Sequence, residues 1–180
     1  MITKKSGLTL LIMAVAISVS SQTQSVDAAV SASVNSTVSG TPELGAFSSE
    51  TAIENGLITN PVLFVVKSNK VWKLATSISG ITTATNADSP TTIDNPLQPL
   101  NVSWGVVDGE VNGDNAVNTF TPFVNNADNT SAANVQVKQG LMGDGDTTGN
   151  TFTLQFKVTP GFLVDPGTYG ITVVHTLSAL

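Results

Sequence analysis

An all-β chain, folded as a single immunoglobulin-like two-sheet β-sandwich behind a cleaved leader, is what this sequence predicts. Three observations lead there. Apolar residues beyond position 28 recur with a period of two and almost never with a period of 3.6. The alternating runs are short, and Gly, Pro, Asn or Asp clusters separate them. Thr, Ser, Val and Asn are abundant, which agrees because β-branched residues favour pleated surfaces and Asn favours turns.

The first element is an address. Lys4 and Lys5 precede an apolar run from Leu8 to Ile17, and a Ser/Gln-rich stretch leads to Val26-Asp27-Ala28. That order of positive, apolar and small residues marks a secretory signal peptide cut after Ala28, with the Ser18–Ser20 region as second choice. The run is about half of the ~20 residues a membrane-spanning helix requires. No second run of that length follows, so no transmembrane span is expected in the mature chain, 29–180.

The mature chain opens on a clean alternation. Val30, Ala32, Val34 and Val38 share one parity, and the stretch ends at Gly40-Thr41-Pro42. Residues 29–40 are therefore either the first strand of the sandwich or a strand donated to a neighbouring subunit. Ser48 to Leu57 alone has a helical pattern. Val62 to Val66 reads as a strand covered on both faces, and after Ser68-Asn69-Lys70 a second strand runs from Val71 to Ile78. Thr82 to Pro99, poor in apolar residues, reads as a surface connection crossing between sheets. Leu100, Val102, Trp104 and Val106 alternate next, then Phe152, Leu154, Phe156 and Val158. Tyr169, Ile171, Val173, His175 and Leu177 form the last strand, entered through Asp165-Pro166-Gly167, a type II turn with positive φ expected at Gly167. Nothing divides the pattern into two sets, and one domain is expected.

Composition removes several chemistries. The seven basic residues are all Lys and the net charge is -6, so phosphate is repelled and no guanidinium is present; nucleic acid is not an expected partner. The absence of Cys removes disulfides, thiolate catalysis and Cys-ligated metals. One His cannot build a multi-histidine centre. Carboxylates fall in separate turns without the paired arrangement a glycoside hydrolase requires, so no catalytic residue and no enzyme activity is expected.

Two acidic loops resemble calcium ligands. Asp108, Glu110, Asn112 and Asp114 place oxygens at alternate positions, and Asp144-Gly145-Asp146 begins a similar series. An EF-type loop needs a bidentate Glu at its twelfth position, where this chain has Thr119 and Gln155. The solvated-turn reading is preferred; calcium is kept as a secondary reading for the first loop, and no other cofactor is expected. Trp104 shares parity with apolar neighbours and is expected in the core. Trp72 is open between a core position and an exposed aromatic anchor. His175 is in phase with an apolar face and is expected to be structural.

Two stretches carry a family resemblance. Val71-Trp72-Lys73-Leu74 is a Trp-x-Leu triplet following a strand and a tight turn, and the chain closes with Pro166-Gly167-Thr168-Tyr169 through His175-Thr176-Leu177. The sequence resembles the WxL-domain surface proteins of Gram-positive bacteria, whose second Trp-x-Leu ends a C-terminal strand entered by a Gly-Thr-Tyr turn. It departs from them at His175, where the family has Trp. The resemblance implies non-covalent association with cell-wall glycan or other surface proteins, through Trp72, Leu74 and Leu177; His175, at the departing position, is a further binding candidate that the resemblance does not itself support. The expected function is thus a secreted, non-catalytic cell-surface module for binding or scaffolding. The alternative is a pilus or filament subunit that self-assembles by donating Val30, Ala32, Val34 and Val38 to a neighbour's sheet.

Overall fold

Alternation of this kind places one face of each strand in a common interior, and the structure, a computed structural model, has that form. It describes residues 30–85, 90–108, 119–126, 131, 135–147 and 149–180; the leader expected over 1–28 lies outside them. The elements are β1 Val34–Ser39, α1 Glu50–Asn55, β2 Leu57–Ile58, β3 Val62–Ser68, β4 Trp72–Ala84, β5 Val102–Asp108, β6 Thr121–Pro122, β7 Val135–Gly140, β8 Thr151–Val158 and β9 Thr168–Ala179. Two antiparallel sheets pack face to face. The larger has the order β1-β3-β8-β5-β6, with β2 beside the end of β8, and the smaller has the order β7-β4-β9. The chain is an all-β sandwich.

The inner faces follow from strand parity. In β3, Val62, Phe64 and Val66 are buried, while Leu63 and Val65 on the other face are half-buried. Gly145 lies so close to Val65 that a Cβ there would clash with it, which is how the β7–β8 loop covers the outer face of β3. Phe152, Leu154, Phe156 and Val158 bring β8 into the same core, and Leu97 and Phe123 close it from the loops. The helix α1 is capped at its start by Ser49, whose hydroxyl accepts from the Ala52 N–H, and is stopped by Gly56 at φ 78°.

Strand β4 is longer than its alternation predicts. Its inner residues are Trp72, Leu74, Thr76 and Ile78, all even-numbered, and the next inward residue is Ile81. The pairing with β9 slips between Ile78 and Gly80, so Ser79 is an extra residue that resets the parity. The Thr-rich end of β4 then pairs with Tyr169 and Gly170. The connection read as starting at Thr82 therefore starts at Thr85, and it does cross between sheets. It also buries Leu97 and Pro99.

Three further local expectations change. Leu100 lies in a 3-10 turn, Pro99–Asn101, and not in β5, which leaves it 52 % exposed. Trp104 packs against the core but is only partly buried, and its indole N–H is enclosed with no partner among the described residues. Gly167 does not have positive φ. A Cβ there would lie 3.3 Å from the Ala84 carbonyl oxygen, so close approach and not turn type accounts for the glycine.

Gly140 matters most to the core. It lies opposite Trp72 in the β4–β7 pair, and a Cβ on it would clash with the indole ring. Gly140→Ala is expected to destabilise the mature chain by about 2 kcal/mol, the usual scale of overpacking, read from the urea midpoint at an unchanged slope. Wild-type stability in that variant would mean that Trp72 does not occupy this position.

Candidate functional site

The two stretches that carry the family resemblance meet in space. Strands β4 and β9 are antiparallel neighbours, with Leu74 opposite Leu177 and Thr76 opposite His175. Alternation turns Trp72, Leu74, His175 and Leu177 to the same side of the small sheet, and that side is the interior. Trp72 and Leu74 are fully buried, while His175 and Leu177 are half-buried and face the core.

Of its two readings, Trp72 thus takes the core position and not that of an exposed anchor. Its ring stacks on Phe152 with centroids 5.9 Å apart, and its Nε1 donates to Asn150 Oδ1 at 3.0 Å. Leu74 likewise offers no surface to a ligand. The triplet acts from inside, fixing β4 against β8, and any partner contact by these residues must run through the backbone and outer face of the sheet they hold.

Asn150 was not singled out by the sequence, yet it is wholly buried. Besides the indole bond, its Nδ2 donates to the Asp144 carbonyl at 3.1 Å, its N–H to the Thr147 carbonyl, and its carbonyl accepts from the Val66 N–H. A single amide thus satisfies the buried indole and locks the β7–β8 loop to the large sheet. The only sequence signal was its place at the end of the Gly-Asp-rich loop.

That loop is also the second acidic turn. Asp144 Oδ1 accepts from the Asp146 N–H at 3.2 Å, a local turn in which the carboxylate serves the backbone. Among the described residues there is no cluster of three His, Cys, Asp or Glu that could hold a metal. The side chains of Asp108, Glu110, Asn112 and Asp114 lie outside the described residues.

His175 is held in an aromatic environment. Phe64 meets it edge to face at 5.2 Å, and Phe156 lies at 6.2 Å. Its Nδ1 and the buried Thr76 hydroxyl are 2.6 Å apart and share one hydrogen bond, whose direction depends on the tautomer. A hydroxyl on an imidazole is the first half of a nucleophilic pair. Here the hydroxyl has no solvent-facing surface and phenyl rings flank the imidazole, so the bond positions β9 on β4.

The N-terminal residues divide. Val34 and Ser36 of β1 face inward at the edge of the large sheet, where the strand pairs with β3 in its own chain. Val38 is 49 % exposed, and Val30 and Ala32 precede the strand and are exposed. The opposite edge strand is different. Along its twelve residues β9 pairs with β4, and no described strand pairs with its other edge. It contains no Pro and no charged residue, and its outer face carries Thr172, Val174 and Thr176. At its start, the Tyr169 hydroxyl donates to the Asp165 carbonyl at 2.6 Å. Burial foremost, then the neighbouring Asp165 charge, pushes the Tyr169 pKa up.

Burial holds the His175 pKa below its ordinary 6.5. The unfolded chain therefore binds a proton there first as pH falls. The neutral-imidazole contribution is complete above pH 6.5 and is lost as pH drops toward the folded pKa. The melting temperature of the mature chain is expected to fall between about pH 7.5 and pH 5.5, and His175→Gln should flatten that slope. An equal slope in the variant would contradict it.

Compared with known proteins, the chain matches no family model and no curated protein.

Proposed function

We propose that the chain is an exported, non-catalytic binding or scaffold module of the cell envelope, associating with wall glycan or with other surface proteins. The observation that supports this reading best is the edge of β9. Long edge strands are ordinarily guarded by charge, Pro or a cover, because unpaired N–H and C=O groups recruit further strands. Over its twelve residues this strand carries no Pro and no charged side chain, and no described strand pairs with its outer edge. A protein that keeps such an edge in a net-acidic chain has a use for it, and strand addition along β9 is that use. The leader supports export, and the paired Trp-x-Leu and His-x-Leu stretches hold the strand in place.

Filament assembly through the N-terminal strand is the second reading. It is favoured by the slight attachment of β1, six residues paired with β3 alone and followed by Gly40 at φ 97°.

One experiment separates the two. Mature protein is incubated with cell walls that retain their surface proteins and with purified peptidoglycan sacculi, and both samples are viewed by electron microscopy. The first reading expects retention without filaments, undiminished when residues 29–38 are deleted and reduced by Val174→Lys at unchanged melting temperature. Filaments that vanish with that deletion would support the second. Neither retention nor filaments would overturn both.

A further inference from the structure

At the end of the sandwich where β9 begins, two loops are fastened together around a recess of about 450 Å3. The fastening is extensive. The Asp165 carboxylate accepts from the Asp94 and Asn95 N–H groups, each at 2.8 Å, and the Asp165 N–H returns a bond to the Asn95 carbonyl. Asn125 accepts from the Leu100 N–H at 2.7 Å and donates to Gln98 Oε1 at 2.6 Å. Asn101 Nδ2 reaches the carbonyls of Thr159 and Pro160, and the Gly161 N–H reaches the Ile53 carbonyl. The walls are therefore set before any ligand arrives, which lowers the ordering cost of binding.

The lining combines two surfaces. Phe162, 61 % exposed, and Leu100, 52 % exposed, join Pro96 as an apolar wall. Asp94, Asn95 and Gln98 also line the recess, and the Asp94 carboxylate, the Asn95 side-chain amide and the Gln98 Nε2 make no hydrogen bond to another described residue. The set offers both donors and acceptors beside an aromatic face.

From this chemistry we infer that the recess is a binding site for a neutral saccharide. A pyranose presents an apolar C–H face that fits against a phenyl ring, and its rim of hydroxyls needs donors and acceptors together, as an amide and a carboxylate supply. Anionic ligands do not fit, because among the described residues no Lys lines the recess and Asp94 repels them. A metal ion does not fit either, since Asp94 is the one carboxylate among the described lining residues. The site extends the binding-module reading and does not depend on the β9 edge.

The test is titration of the full mature chain with N,N′,N″-triacetylchitotriose, cellotriose and maltotriose, followed by calorimetry and by amide chemical shifts. At least one trisaccharide is expected to bind saturably, with shifts centred on residues 94–101 and 160–164. Phe162→Ala and Asn95→Ala, both surface truncations, should weaken that binding roughly tenfold or more at unchanged melting temperature. No binding of any of the three at millimolar concentration, or binding unaltered in both variants, overturns the assignment. Val174→Lys should leave saccharide binding intact, so failure of the edge contact and failure of this site are told apart.

Discussion

A row of rings clamped between the two sheets is the constraint on which the rest of this structure depends. Trp72 stacks on Phe152, Phe152 on Phe64 at 5.2 Å, Phe64 meets His175, His175 lies against Phe156, and Phe156 stacks on Phe123. The row takes its members from β4, β8, β3, β9 and the loop after β6, so all but the His175–Phe156 contact, which joins the consecutive strands β8 and β9, join elements far apart in sequence. Aromatic pairs of this kind contribute roughly 0.5–1.5 kcal/mol each beyond the area they bury. In a chain without cysteine the sheets have no covalent tie, and this packing holds them together.

The polar groups in the core follow from that row. An indole N–H cannot be buried unpaired without a cost of about 1–3 kcal/mol, and Asn150 answers it. The Thr76 hydroxyl answers the imidazole in the same way on the other side of Phe64. Both partners also fix position. Asn150 anchors a loop that covers the outer face of β3, and Thr76 anchors β9, the edge strand proposed as the association surface. Core packing and the outer edge are thus two ends of one mechanical connection, and the imidazole of His175 makes one link of it sensitive to protons.

How much of this was legible in the sequence depended on range. The inward residues of β8 and β9 follow directly from strict alternation, and the short helix α1 from Ser49 and Gly56. Three features were hidden. The parity change in β4 arises because Ser79 is extra relative to β9, which no local pattern reveals. The burial of Trp72 required knowing that Gly140 lies opposite it, 68 positions along the chain, leaving room for the ring. The recess between residues 94–101 and 160–164 is assembled by side-chain bonds to distant backbone, and the composition of either loop alone reads as an ordinary polar connection. Strand character is a local property; what faces a strand is not.

Hydrogen exchange of the Trp72 indole Nε1–H, followed by nuclear magnetic resonance on the mature chain, tests the central constraint most directly. Sealed between the sheets and bonded to Asn150, this proton is predicted to exchange only through global unfolding, with the same free energy as the slowest core amides of β8. Exchange at the rate of a solvent-exposed tryptophan would place Trp72 outside the core and contradict the account.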